Sequence, residues 1–315
     1  MLYNKGNVRT PLLSMIGSRP KFTNSVEYVL SQNFTSEDGD IPNISETGSL
    51  TAPEASYITR EQSTNVTQIF HDTVAISYAK MSNMGTLSGA NIAGQEANPM
   101  NELDFQVARK MDKLGRAIEK TFIQGTYNKA TKDDEVNKTR GLVEAITSNV
   151  VEAGGKPLDI WMINDLMIEM KKNGADITNL TGWFDTTTIN QLNGSAVENG
   201  LTVAPATRNE NGINVRTIEL PSGIVTFMNG EFIPAGTALL LNLEAISPVE
   251  QPVPTKGNFF LEQLAKNGAG EKYQIFGQIG LDYGAEHLHG KITGLATTFT
   301  KPAGRKVVLV DEASV

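Results

Sequence analysis

Cysteine is absent from this 315-residue chain, which excludes disulfides and thiolate metal sites. Histidine is scarce, with only His71, His287 and His289. His287 and His289 are two apart and would share one face of a strand. A zinc site needs three or four convergent ligands, and no third is evident, so a structural role is the plainer reading. No stretch approaches the ~20 apolar residues that span a bilayer. The opening MLYNKGNVRT also lacks the apolar core of a signal peptide, so synthesis and folding in a cytoplasm are expected. A basic surplus is missing too. Lys and Arg number 27 against 35 Asp and Glu, a net charge of −8, whereas a protein gripping nucleic acid over its whole surface would be basic.

Recognisable chemistry is equally sparse. There is no G-x-S-x-G nucleophile elbow and no G-x-x-x-x-G-K-[ST] phosphate loop. The stretch Gly268-Ala269-Gly270-Glu271-Lys272 reads as a turn between strands. No helix-turn-helix, zinc knuckle or aromatic RNA-stacking motif is present. No cofactor and no enzymatic activity are expected.

The composition that remains is ordinary for a folded protein, 39% apolar and 20% charged. Length allows one large domain or two. The 29 glycines, with many Asn, Thr and Ser, point to turns and strands. Charge is unevenly spread. Residues 1–26 hold Lys5, Arg9, Arg19 and Lys21 and no acid. Residues 27–61 hold Glu27, Glu37, Asp38, Asp40, Glu46, Glu54 and Glu61 against Arg60 alone. Taken singly, these read as a solvated tail and a solvated loop.

Along the chain, 1–20 reads as an arm with a short apolar anchor, TPLLSMIG. Residues 21–80 read as a protruding hairpin: an outgoing limb Lys21–Phe34, a polar tip, and a return limb Tyr57–Tyr78 with partial period-2 alternation. So polar an arm cannot bury a core of its own and needs a partner surface. Asn98-Pro99 then opens a helix whose apolar stripe is Met100, Leu103, Val107, Met111, Leu114, Ile118 and Phe122, stopped by Gly125. Its far side carries Arg109, Lys110, Lys113, Arg116 and Lys120. A charged loop covers 128–140. A second helix is expected over about 158–172, ended by Asn173-Gly174, while 176–195 is ambiguous. Short strands follow over 212–250, a helix or strand over 258–265, and a long strand pair over 273–297. The tail holds one further apolar run, VVLV.

These segments resemble the SU10-type major capsid proteins, a branch of the HK97-like fold. TPLLSMIG is similar to that family's T-P-x-x-S-x-I-G anchor, and STNVTQIFHDTVAISYAKMSN to its N-x-T-Q-I strand and the strand after it. ELDFQVARKMDKLGRAIEKTFIQG matches its long helix, and Arg140-Gly141-Leu142 the R-G-[LI] that follows. FFLEQLAKNGAGEKYQIFGQIGLDYGAEHLHGKITGL matches its closing strands. Gly280 departs from the pattern, where a glutamate or threonine is expected, and 176–210 match poorly.

The resemblance implies an α+β HK97-like major capsid fold: N-arm 1–20, E-loop 21–77, peripheral domain 78–149 with spine helix 98–124, axial domain 150–255, closing peripheral strands 256–300 and tail 301–315. It implies a subunit that self-assembles into hexamers and pentamers around the double-stranded DNA of a tailed bacteriophage, found in the virion and assembled in the bacterial cytoplasm. Its partners would be further copies of itself, a portal, and a possible separate scaffold or decoration protein, with no membrane. A fused scaffolding leader is not expected. Inter-subunit contacts are expected at Phe34, Glu37, Asp38, Asp40, Ile41, Ile44 and Ile58 on the E-loop. On the spine helix they are expected at Arg109, Lys113, Arg116 and Lys120. Lys5, Arg9, Arg19 and Lys21 would lie either on a genome-facing arm, in non-specific contact with DNA, or against neighbouring subunits. An encapsulin-like compartment, or a secreted β-rich hydrolase or carbohydrate-binding protein, are the alternatives.

Overall fold

The computed structural model describes residues 9–34, 41, 43–52, 57–82, 102–198, 208–210, 213–266 and 268–298. The helices are α1 (Pro11–Ile16), α2 (Tyr78–Ser82), α3 (Glu102–Gln124), α4 (Leu142–Ala145), α5 (Ile160–Lys172) and α6 (Thr186–Glu198). The strands are β1 (Lys21–Phe22), β2 (Glu27–Phe34), β3 (Arg60–Val66), β4 (Gln68–Ser77), β5 (Val150–Glu152), β6 (Leu180–Phe184) and β7 (Arg208–Glu210), followed by β8 (Ile213–Leu220), β9 (Gly223–Asn229), β10 (Ala238–Asn242), β11 (Ser247–Glu250), β12 (Phe260–Gln263), β13 (Gly270–Asp282) and β14 (Gly290–Thr293). They form two compact units, Met1–Ala145 with Glu244–Glu286, and Ile146–Leu243 with His287–Val315.

The first unit is built on β13. This strand pairs antiparallel with β4 from Gly270↔Ser77 to Ile279↔Gln68, and on its other side with β12 and β11, β1 joining parallel to β11. Along β4, Phe70, Val74 and Ile76 are buried and Ile69, His71, Thr73 and Ala75 exposed, the alternation of a half-covered strand. Helix α3 packs on β4. Of its stripe, Leu114, Ile118 and Phe122 are buried, Leu103 and Val107 half-buried, and Met111 exposed. The expected start of this helix, 98–101, lies outside the described residues, and its end falls at Gln124, just before Gly125. Helix α1 is the anchor segment, with Leu12 and Ile16 buried. Thr10 gives its amino end no side-chain cap. Instead the Leu13 amide donates to the buried Glu119 carboxylate of α3 at 3.1 Å, satisfying an amide left over at the helix start.

The second unit is a seven-stranded mixed sheet in the order β5-β14-β10-β6-β9-β8-β7. β6 and β10 are buried at every residue, as their central positions require. Ile163, Leu166, Met167 and Met170 of α5 and Leu192 of α6 share one core with Leu180, Val225, Phe227 and Leu240. Asp159 caps α5. At its other end Gly174 takes φ +84°, and the Ala175 amide donates to Met170 O at 2.9 Å, the left-handed closure that glycine permits. The ambiguous stretch resolves into β6 and α6. Asp185 accepts the Thr188 amide at 2.8 Å, an N-cap.

Several segments lie elsewhere than the sequence reading puts them. The return limb is two strands, and β4 belongs to the sheet with β13, not to the hairpin. β11, read within the axial block, is in the first unit. β14, read among the closing peripheral strands, pairs with β5 and β10 in the second. The chain is redirected there by Gly284 at φ +65° and by a helical turn at Glu286–Leu288. His287 and His289 therefore share no strand face. His289 is buried and accepts the Asn242 amide at Nδ1 (3.2 Å). Among the described residues, no group of three or more His, Asp or Glu is placed to hold a metal ion, and no helix is long and apolar enough to cross a membrane.

Asp72 lies on the buried side of β4, its side chain 11% exposed, with Lys110 and Lys113 of α3 each at 2.8 Å. Burial opposes its ionisation, and the two lysine hydrogen bonds outweigh that effect, holding the carboxyl at about 2 against an ordinary 3.8. A lowered folded-state pKa contributes stability above the unfolded value that is lost as pH falls through the folded one. Stability of the dissociated subunit should therefore drop between about pH 4 and about pH 2 by on the order of 1–2 kcal/mol from this group. Asp72→Asn should remove that part of the acid limb. An unaltered limb in urea unfolding of the variant would contradict the assignment.

Candidate assembly surface and its anchor

β2 and β3 form a two-stranded antiparallel ribbon running from Glu27↔Val66 to Phe34↔Arg60, with a bulge between Val29 and Ser31. No further strand joins it among the described residues. An isolated hairpin is marginal in water, so its order must come from its root.

That root centres on Asn65, which is fully buried. Its Oδ1 accepts the Arg140 amide at 2.8 Å, and its Nδ2 donates to Leu281 O at 2.8 Å and Arg140 O at 3.3 Å. Thr67 donates its hydroxyl to Gln251 Oε1 at 2.6 Å. The Thr139 amide donates to Gln68 Oε1 at 3.3 Å, and the Leu281 amide to Thr139 Oγ1 at 3.2 Å. One asparagine thus joins the hairpin, the segment after α3 and β13. The motif residues Asn65, Thr67, Gln68 and Arg140 all spend their polar groups here. The Arg140 guanidinium stacks over Tyr127 at 4.4 Å and meets Glu144 at 3.5 Å.

Tyr28 closes the root from the other strand, its hydroxyl donating to Leu281 O at 2.9 Å; burial pushes its pKa up. Its ring occupies the space above Gly280, where a Cβ would stand 2.4 Å from Tyr28 Oη and 2.9 Å from Val66 O. The departure from the expected glutamate or threonine is thereby explained: Tyr28 fills the place a side chain at 280 would take. Beside the root, Val26, Ile69 and residues 129–137 line a cleft of about 640 Å³. Lys129 pairs across it with Glu27 and holds that carboxyl below the usual range.

Beyond the root the ribbon buries little. Phe34, Ile41, Ile44 and Ile58 are all exposed, Ile41 to 92%. Leu50 and Tyr57, each 85% exposed, belong with them and were missed in the sequence, although an apolar residue stranded in a polar stretch is the signal that selected the others. Glu37, Asp38 and Asp40 lie outside the described residues, as does Lys5.

The expected cations divide. Lys113 serves Asp72 and Arg109 pairs with Asp112 at 3.1 Å, because α3 needs them for its own seat and surface. Arg116 and Lys120 have no ion pair among the described residues. Lys21 pairs with the buried Asp282, since β1 runs beside β11. Arg9 and Arg19 are exposed.

With this geometry in place, the family model of the SU10 major capsid protein matches residues 1–296. The chain belongs to the SU10 major capsid protein family. It is thus a capsid subunit of the tailed-phage kind, and its structural neighbours share the α+β HK97-like fold. A chain of the cyanophage A-1(L) capsid asymmetric unit superposes with a TM-score of 0.66 at 12% identity, covering 94% of this chain and 95% of that one. The capsid of Myoviridae phage XM1 gives 0.56 at 13% identity, covering 94% and 95%. The SrpI encapsulin of Synechococcus elongatus PCC 7942 gives 0.57 at 11%, covering 95% and 94%. No curated protein matches in sequence.

Gly280→Thr should unseat Tyr28, cost about 1–3 kcal/mol as overpacking does, and raise amide exchange along β2 and β3. In a double-mutant cycle, adding Tyr28→Ala should recover part of the loss. Strictly additive losses would show that the two positions do not compete for one space.

Proposed function

We propose that copies of this chain build hexamers and pentamers that close into a shell around double-stranded DNA, with the β2–β3 hairpin seated on the first unit of a neighbouring copy. One observation supports this most. Among the described residues, seven of the eighteen exposed large apolar side chains, from Val29 to Ile58, fall on the hairpin and the segment joining its strands, which cannot cover them. Exposed apolar side chains gathered on one protruding segment point to an interaction site.

Phe34, Ile41, Ile44 and Ile58, with Leu50 and Tyr57, supply the adhesion. The tip acids Glu37, Asp38 and Asp40 steer docking toward Arg116 and Lys120, the helix cations left unspent by the fold. Such charges set orientation and rate more than affinity, since exposed ion pairs contribute about 0–1 kcal/mol each. Arg9 and Arg19, with Lys5, form the arm that meets DNA through phosphates without sequence preference; Lys21 leaves this group for its pair with Asp282. Assembly takes place in the bacterial cytoplasm, and a portal with any scaffold or decoration protein completes the particle. No catalytic step is assigned.

Negative-stain microscopy of the purified protein should show closed shells or capsomer rings. The Ile41→Asp, Ile44→Asp double variant should abolish them while leaving the subunit's thermal midpoint within about 2 °C, as exposed substitutions do. A monodisperse monomer of the unmodified protein at high concentration would sink the proposal.

A further inference from the structure

The second unit carries an exposed apolar patch and, on the opposite side of its sheet, a single exposed apolar side chain, Ile224, set among polar residues. The first is the outer face of α5, where Trp161, Asp165, Ile168 and Lys172 recur at spacings of four, three and four and are all exposed. Trp161 is 52% exposed and Ile168 41%, while the inward Ile163, Leu166, Met167 and Met170 are buried. The second surface, on β8 and β9, centres on Ile224. Ile218, Leu220, Val225 and Phe227 enter the core shared with α5. Strand alternation therefore sends Thr217, Glu219, Ile224 and Thr226 to the other side. Ile224 is 52% exposed, and Glu219 sits directly across from it in register. Among the described residues of this unit, Val150 is the one further large apolar side chain that is exposed.

We propose that these surfaces bind each other between copies, the α5 face of one second unit seating on the β8–β9 face of the next. Trp161 and Ile168 cover Ile224, Lys172 meets Glu219, and Asp165 meets the Thr217 and Thr226 hydroxyls. This rests on the shell reading and goes beyond it by naming the ring-forming residues. The charges fit that pairing. Glu219 has no ion pair among the described residues, and Lys172 is held only by an exposed contact to Glu169 at 3.2 Å, weak enough to exchange. A two-fold contact of α5 with α5 fits worse, because antiparallel packing sets Asp165 against Ile168 and buries a carboxylate on an apolar side chain. Two different surfaces on opposite sides of one unit make a head-to-tail contact, which propagates and gives a ring where the rotation between copies closes.

The absence of native cysteine makes the test unambiguous. The double variant Ile168→Cys, Ile224→Cys, oxidised during assembly, should give a ladder of covalent oligomers on a non-reducing gel, and neither single variant should link. Covalent dimers from Ile168→Cys alone would show a two-fold contact and overturn the proposal. So would an unlinked double variant whose shells are seen by microscopy, which leaves the shell reading standing. Absence of shells from the unmodified protein would remove the shell reading and this contact with it. As a check on the surface alone, Lys172→Glu should cut ring yield about tenfold through like-charge juxtaposition, and adding Glu219→Lys should restore it. A double variant as impaired as the single would also overturn the contact.

Discussion

The hairpin of the first unit is a ribbon of two strands that has no core of its own and depends on the unit it springs from. β2 and β3 satisfy each other's backbone, yet their outward side chains find no cover, and backbone pairing in two strands is not enough for independent stability. The ribbon is therefore only as ordered as its base. Asn65 provides that base because a fully buried amide must satisfy both its oxygen and its nitrogen, and it does so with partners far apart in sequence, Arg140 and Leu281. Losing that side chain would leave the Arg140 amide without this acceptor and Leu281 O with the Tyr28 hydroxyl alone, so the hairpin would lose its tie to the segment after α3 and part of its tie to β13.

Much of this was legible in the residues. The stripe ending at Phe122 and the stop at Gly125 mark the end of α3, and Asn173-Gly174 marks the end of α5. Apolar runs bounded by turns mark β8, β9 and β10. The misplacements share a cause. β4 and β14 are strands by pattern, but alternation says only that one face is covered, not which sheet does the covering. Tyr57–Tyr78 looks continuous because Thr67, where one sheet gives way to the other, has no breaker beside it. α6 was hidden because Thr186-Thr187-Thr188 reads as a strand, and its N-cap Asp185 is visible only once the Thr188 amide is seen to point at it.

Charge was the least legible property. The cations of α3 looked like one binding face in sequence, and the fold divides them. Asp72 stands on a face that Phe70 and Val74 bury, so its carboxylate needs partners, and it takes Lys110 and Lys113. Asp282 takes Lys21 in the same way. A count of lysines along a helix cannot separate those that neutralise the chain's own buried acids from those left for a neighbour. Only the pairing geometry does so, and among the described residues it shows no ion pair at Arg116 or Lys120.

The energetics then argue against a shell held by any one contact. Six exposed apolar side chains on the hairpin, at roughly 1.5–3 kcal/mol each when fully buried, give about 9–18 kcal/mol. Association costs roughly 4–15 kcal/mol in lost rigid-body freedom alone, and partial burial reduces the gain further. A hairpin seated alone is thus close to break-even, a condition under which a wrongly placed subunit can leave. A second contact made by the other unit acts on a partner already tethered, where effective concentration replaces most of the association cost. On the proposed reading, weak seating at two separate places would let a chain with neither disulfides nor a metal site among its described residues assemble reversibly and still gain stability as the second contact forms.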